Sequence, residues 1–225
     1  MQYKYEIHAH TKETSVCGKT PAAEIVRMYK QAGFSGIVIT DHYSPMTFSL
    51  KEHLSKAKAR EKYWKGYLEA KKYEDEGFTV LPGMELRFYA TINDYLIYGM
   101  DEELLASLPR LLPRYLRRAS KILRKKGCLV IQAHPFRKFM HPVNPECLDG
   151  VEICNGKNTK EENEKALGWA KSFKHKAICT GGSDFHSAKH LGGSGIITNE
   201  KITCNADLLR ILKSGEYEII EPEYK

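Results

Sequence analysis

The sequence predicts an α/β protein built on a parallel barrel or an open parallel sheet. Short apolar, β-branched runs alternate with longer segments of helical period along the whole chain, and about seven such strands are present. The 225 residues, 42% hydrophobic and 10% aromatic, suffice for one sizeable core. The same composition excludes an intrinsically disordered chain.

Tyr3 to His10 alternates like a first strand. Thr20 and Pro21 then offer an N-cap and first-turn pair; Ile25, Val26, Tyr29 and Ala32 share one helical face, and Gly33 supplies the stop. Gly36 to Thr40 is the second strand. Leu50 to Glu76, rich in Lys, Glu, Ala and Tyr and free of Pro, reads as one long helix or two, closed by Gly77. Phe78 to Leu81 begins the next strand, Tyr95 to Tyr98 forms another, and Glu102 to Ser107 is a short helix. Leu111 to Lys126 is a basic helix begun near Pro113 and ended by Gly127, followed by the strand Cys128 to Gln132. Val151 to Cys154 is a brief strand, Lys160 to Phe173 a helix, and Ala177 to Thr180 a strand ahead of Gly181 and Gly182. Ile196 to Thr198 and a last helix, Ala206 to Lys213, complete the series. No repeat, low-complexity tract or linker interrupts it, so residues 1–225 read as a single domain.

No run reaches the roughly 18 to 20 apolar residues that cross a bilayer, and the opening MQYKYEIHAH lacks the basic region, apolar stretch and small-residue site of a secretory leader. The six cysteines include no Cys-x-x-Cys pair and are too sparse for a disulfide scaffold. These observations predict a cytoplasmic protein with no membrane partner. A formal charge of +7 and a pI near 9.0 favour an anionic partner, a phosphorylated metabolite or a nucleic acid.

The informative feature is where His, Asp and Glu fall relative to the strands. His8-Ala9-His10 ends the first strand, and residues two apart on a strand point to one side, so both imidazoles can grip one ion. Asp41-His42 follows Gly-Ile-Val-Ile-Thr, Glu85 follows Val-Leu-Pro-Gly-Met, His134-Pro135 follows Leu-Val-Ile-Gln-Ala, and Asp184-Phe185-His186 follows Ile-Cys-Thr-Gly-Gly-Ser. In a parallel barrel all strand C-termini open on one face, where these clusters would converge. Taken singly, Asp41 reads equally well as a helix cap, Glu85 as a surface carboxylate and His134 as a satisfied core imidazole. Together, imidazoles and carboxylates in this mixture neutralise several divalent cations and leave positions open for water and substrate.

With these residues assembled, the chain resembles the PHP (polymerase and histidinol phosphatase) family of metal-dependent phosphoesterases. The motifs are His8-Ala9-His10, Thr40-Asp41-His42, Gly83-Met84-Glu85, Ala133-His134-Pro135 and Ser183-Asp184-Phe185-His186, in family order and over nearly the whole length. The resemblance implies a distorted (β/α)7 TIM-like barrel with two or three divalent metals, zinc, manganese or iron, at the C-terminal ends of the strands. It implies His8, His10, Glu85 and Asp184 around a first metal, Glu85 bridging to a second that also uses His134, and His42 with His186 on a third. Two family positions are not matched. Where the family usually offers another Asp or His after the first motif, this chain reads Thr11-Lys12-Glu13-Thr14-Ser15-Val16-Cys17, with Glu13 the preferred substitute and Cys17 the second choice. Where many members carry a His on the strand after the Glu, Asn93-Asp94-Tyr95-Leu96 stands instead; a hard oxygen from Asp94 would favour manganese or iron over an all-imidazole zinc site.

The activity implied is hydrolysis of a phosphate monoester by a metal-activated water, with Asp184 in the catalytic centre. Arg137, three residues after His134, would fork onto a phosphate oxygen. His190 would reach the leaving group or stack on substrate; Lys12 and Asn155 are lesser candidates near the same mouth. A small phosphorylated metabolite is the expected partner, because the five motifs occupy the chain. A nuclease is the alternative, since Arg110 to Lys126 holds eight basic residues and no acidic one, and Lys51 to Lys72 is Lys-rich around Tyr63, Trp64 and Tyr67. A non-catalytic metal-binding scaffold and an amidohydrolase-like barrel, the latter without its expected metal-bridging lysine, complete the alternatives.

Overall fold

The computed structural model describes residues 1–48, 55–88, 91–107 and 115–224. Among the described residues, ten strands and six helices follow in the order β1 (Tyr3–Ala9), α1 (Ala22–Gln31), β2 (Gly36–Ile39), β3 (His42–Tyr43), α2 (Lys56–Lys71), β4 (Thr79–Arg87), β5 (Asp94–Tyr98), α3 (Glu102–Ser107) and α4 (Leu116–Lys125). The second half runs β6 (Leu129–Gln132), β7 (Gly150–Asn155), α5 (Lys160–Ala170), β8 (Ile178–Gly182), β9 (Gly195–Thr198), α6 (Asn205–Ser214) and β10 (Tyr217–Ile220).

The sheet order is β10-β9-β1-β2-β4-β5-β6-β7-β8, with β3 attached to β4. Beyond β8 the chain returns to β1: Phe185 bridges Ala9 in parallel, with His10 N–H donating to Phe185 O at 2.9 Å and Phe185 N–H to His8 O at 3.1 Å. Seven strands (β1, β2, β4, β5, β6, β7 and β8) thus form a nearly closed ring, the distorted TIM-like barrel expected from the motifs, and β9 and β10 extend it antiparallel from the start of β1.

One strand breaks the expected all-parallel pattern. β5 runs antiparallel to both β4 and β6, pairing Arg87 with Asp94 and Tyr95 with Gln132. Its reversal puts its first residue, Asp94, on the same rim as the C-terminal ends of its neighbours, which is how a residue at the start of a strand reaches the site.

Burial follows the alternation of side chains across each strand. Ile7, Val38, Leu81, Leu96 and Ile131 pack with one another and with Leu208 and Ile211 of α6, filling the ring below the site. Neighbours of opposite parity, Met84, Ile97 and Val130, pack outward against Ala119 and Leu123 of α4. The exposed Arg117, Arg118 and Lys121 occupy the solvent side of that helix.

Several boundaries move for identifiable reasons. Residues 50–54 and 111–114 of the expected helices lie outside the described residues. The helix expected to reach Glu76 stops at Lys71, because Asp75 and Phe78 pair across a turn in which Gly77 N–H donates to Asp75 Oδ1. The helix expected to end at Phe173 ends at Ala170. The first residue of α1 is preceded by Pro21, not capped by Thr20, and its backbone N–H donates to the Glu13 carboxylate instead. Glu85 lies inside β4, not past it, because that strand continues to Arg87. The short strands β3 and β10 were not expected.

Candidate metal centre

At the C-terminal rim β1 carries an irregularity: its register with β2 shifts between Glu6 and Ala9. The shift re-aims the strand, as bulges beside functional sites do, so that Glu6 turns toward Tyr29 of α1 while His8 and His10 both reach Glu85 and Asp184. Glu85 is the hub. Its Oε1 lies 3.3 Å from His8 Nε2 and 3.0 Å from His134 Nε2, and its Oε2 lies 3.2 Å from His10 Nε2 and 2.9 Å from His42 Nδ1. Asp184 Oδ1 stands 3.7 Å from His8 Nε2, 3.4 Å from His10 Nε2 and 3.1 Å from His186 Nδ1. Four overlapping groups have donor atoms close enough for a shared ion: His8 with His10 and Glu85; His8 with His134 and Asp184; His42 with Glu85 and Asp94; and His10 with His42 and His186.

A ring of buried partners fixes these side chains. Glu152 accepts from His8 Nδ1 at 2.7 Å, which turns His8 Nε2 toward the cluster, and its other oxygen accepts from His134 N–H at 3.0 Å and Asn155 Nδ2 at 2.9 Å. Asp41 does not enter the cluster; it accepts from Thr11 N–H, Thr11 Oγ1 and Ser15 Oγ, and Ser15 Oγ in turn accepts from His42 N–H. Glu6 accepts from His8 N–H, Ser183 N–H and Tyr29 Oη, tying the first and last motifs together. His134 and Asp184 have φ of 28° and 52°, the left-handed region that non-glycine residues rarely adopt; Phe139 at 72° is the third such residue among those described.

The electrostatics are those of a cluster built around cations. Burial works against charge on Glu85, yet the facing His42 and His8 outweigh it and hold the carboxyl well below its ordinary range. Asp184 is likewise held low against burial by His8, His10, His186 and Arg137. His8 is held well above the imidazole value by Glu152, Asp184 and Glu85 despite its burial, whereas burial and His42 push His10 well below it. Among the described residues, six buried side-chain atoms have no aligned hydrogen-bond partner, and four belong here: His8 Nε2, His10 Nε2, Glu85 Oε2 and Asp184 Oδ2. Buried polar atoms are normally satisfied, so four converging orphans of ligand type fit divalent metal.

Two cationic side chains line the outer edge of the cluster. Arg137 Nη1 lies 2.8 Å from Asp184 Oδ2, an ion pair without hydrogen-bond alignment, and Lys157 Nζ lies 3.3 Å from the same oxygen. Arg137 is held by Asn158 Oδ1 at 3.0 Å and Asn155 Oδ1 at 2.7 Å. Asp94 forms a two-point pair with Arg87 while its Oδ2 stays 4.0 Å from His134 Nε2.

Of the residues predicted from sequence, His8, His10, His42, Glu85, Asp94, His134, Asp184, His186 and Arg137 therefore converge. Glu13 does not: its carboxylate is drawn to the start of α1, where free backbone N–H groups attract it. Cys17 comes instead, its Sγ 3.1 Å from His186 Nε2. His190 reaches the site through His186, accepting that residue's N–H on Nδ1, and burial together with Lys157 pushes it down to about 4. Sequence reasoning missed Glu152, Glu6 and Lys157; a lone Glu inside the apolar run Val151-Glu152-Ile153-Cys154 was the available signal for the first.

Residues 160–217 match the family model described as PHP-associated. No curated protein matches the chain in sequence. Solved structures match it in fold. PsfC from Pseudomonas syringae aligns with TM-score 0.68 at 16% identity over 92% of this chain and 88% of its own. A two-domain protein from Bacteroides vulgatus containing a predicted PHP-like metal-dependent phosphoesterase aligns with TM-score 0.70 at 14% identity, over 99% of this chain and 65% of that one. The lesion-specific endonuclease EndoQ from Pyrococcus furiosus aligns with TM-score 0.66 at 13% identity, over 97% and 58%. The chain thus spans somewhat less than two thirds of the last two proteins.

Proposed function

We propose that this chain, whose fold is that of PHP-like metal-dependent phosphoesterases, hydrolyses phosphate monoesters at a centre of two or three divalent ions. The observation that carries the reading is Glu85: one buried carboxylate within 3.3 Å of four imidazoles, the arrangement of a ligand shared between ions. His8, His10, Glu85 and Asp184 would hold the first ion, Glu85 and His134 with Asp94 the second, and His42 with His186 the third. Ions held there supply Lewis acidity, lowering the pKa of water and neutralising phosphoryl charge. The chain's own residues do the rest. Glu152 and Asn155 orient His8, His134 and Arg137, and the Arg137 fork with Lys157 binds phosphoryl oxygens at the rim.

Two observations favour a small monoester over a polynucleotide. Arg137 and Lys157 converge on a single oxygen of Asp184, a pair of cations suited to a terminal phosphate dianion. Of the aromatics that would stack on bases, Tyr63 and Trp64 are 3% and 6% exposed, and Tyr67, half-buried, packs against the same core. The likeness to a DNA-lesion endonuclease keeps the diesterase as the second reading.

The test is elemental analysis of protein purified without chelator, together with hydrolysis of an aryl phosphate and of single-stranded DNA. Two to three equivalents with monoester turnover is the expected result, with Arg137→Ala losing about 100-fold in kcat/KM, the range of one transition-state hydrogen-bond donor. DNA cleavage that declines steeply with salt would replace this reading with the nuclease. Bound metal with neither activity would leave a scaffold.

A further inference from the structure

The Arg137 guanidinium has only donors to offer, so whatever aims it must present oxygens. It meets two: Asn158 Oδ1 accepts from its Nε at 3.0 Å and Asn155 Oδ1 from its Nη2 at 2.7 Å, which leaves Nη1 directed at the rim, 2.8 Å from Asp184 Oδ2. An asparagine amide carries N–H donors on its other atom, and turned over it would set them against the guanidinium. Each amide therefore needs a further partner that fixes which way it points. For Asn155 that partner is Glu152, whose carboxylate accepts from Nδ2 at 2.9 Å.

For Asn158 it is Asn163, a buried polar residue in the first turn of α5 that makes no hydrogen bond to a candidate metal ligand. Its Oδ1 accepts from Asn155 N–H and from Asn158 Nδ2, both at 3.1 Å, and its Nδ2 donates to Asn155 O at 3.2 Å and to Tyr224 Oη at 3.0 Å. The amide thus uses its full hydrogen-bonding capacity. The backbone of Asn155 offers one donor and one acceptor that cannot exchange, so it dictates the orientation of the Asn163 amide, and Asn163 passes that orientation to Asn158. The surrounding segment is fastened to suit. Thr159 and Glu162 form a capping box that fixes the start of α5 and with it Asn163, Gly156 N–H donates to Gly182 O at 2.9 Å, and Lys157 N–H donates to Asn155 Oδ1 at 2.9 Å.

We propose that Asn163 is a positioning residue for phosphate binding: by orienting the Asn158 amide it keeps an oxygen on Arg137 Nε and holds Nη1 at the rim, where a phosphoryl oxygen would be met. The inference rests on the reading of Arg137 as a phosphate-binding residue and adds what aims it. It carries a signature that a merely structural residue would lack. Asn158→Asp puts oxygen on both sides of the terminal group, so Arg137 finds an acceptor whichever way that group turns, and Asn163 is no longer needed to orient it.

The probe is inorganic phosphate, titrated calorimetrically into the metal-loaded full chain, Asn163→Ala, Asn158→Asp and the double variant, with metal content and circular dichroism measured on each. Asn163→Ala is expected to keep its metal and to bind phosphate about tenfold more weakly, the worth of one hydrogen bond to a charged group. Measured against Asn158→Asp, the double variant should lose no more than about twofold, because the two effects are not additive. If Asn163→Ala does not fold, Asn163→Ser, with its smaller loss of volume, takes its place in the same cycle. Unchanged phosphate affinity in Asn163→Ala, loss of its metal, or an equal phosphate penalty in both backgrounds overturns the positioning role and leaves the phosphatase reading standing. Metal-loaded wild type that neither binds phosphate nor hydrolyses an aryl phosphate overturns both.

Discussion

Glu152 receives three donors on two oxygens, and everything it touches is either a candidate ligand or the residue that holds Arg137. Removing it would free the His8 ring to rotate and leave His134 N–H unpaired. Glu152→Ala is therefore expected to weaken metal binding about 10- to 100-fold, read by competition with a chromophoric chelator, with little loss of secondary structure. Glu6 makes a different prediction. Burial pushes its carboxyl up to about 7 from an ordinary 4.5. The folded chain then keeps a proton that the unfolded chain has released, so stability is fully present below about 4.5 and declines as pH rises through about 7. The decline amounts to about 3 kcal/mol, and Glu6→Gln should lack it when metal-free wild type and variant are unfolded in parallel across that range. A variant with the same pH slope as wild type would show that Glu6 is ionised in the fold.

At the scale of elements, α2 is the wall against which the first two motifs are pressed. Gly66 is the contact: an added Cβ would lie 2.1 Å from Thr11 Oγ1 and 2.3 Å from Asp41 Oδ2. Gly66→Ala must push α2 away or break the Asp41 network, and is expected to cost about 1–3 kcal/mol in chemical denaturation, with metal affinity falling in parallel. Gly168, inside α5, meets nothing within 4 Å, so Gly168→Ala should stabilise the protein by about 0.5–1 kcal/mol and leave metal binding unchanged. Elements also explain why part of the site was legible in the sequence. His8-Ala9-His10 and Ser183-Asp184-Phe185-His186 are short contiguous segments at strand ends, where local order alone puts donors side by side. Asp94 was legible only as a substitute; its arrival depends on the reversal of β5, which no local pattern in Asp94–Tyr98 announces.

For the whole molecule, the strands of the ring converge on a centre where carboxylates and imidazoles are ion-paired but four buried atoms, His8 Nε2, His10 Nε2, Glu85 Oε2 and Asp184 Oδ2, have no hydrogen bond among the described residues. Metal should stabilise it strongly. An ion in hundredfold excess over its Kd adds about 2.7 kcal/mol, so chelator-treated protein is expected to melt several degrees below protein supplied with zinc or manganese in scanning calorimetry. Equal melting with and without metal would mean that the cluster is satisfied by protons alone. No helix among the described residues is long and apolar enough to cross a membrane, and on α4 Arg117, Arg118 and Lys121 are exposed while Arg124 pairs with Asp149.

The sequence by itself determined the strand–helix alternation, the convergence of five motifs on one barrel face and most of the candidate donors, because those depend on residue period and on spacing within single segments. Tertiary structure alone decided the competition between Glu13 and Cys17. Both lie in the same short loop, and only the fastening of that loop to Thr20, His186 and α2 sends the carboxylate to the backbone N–H groups of α1 and the thiol to His186. It likewise decided the roles of Glu152 and Lys157, which meet His8 of β1 and Asp184 beyond β8, both distant in the chain.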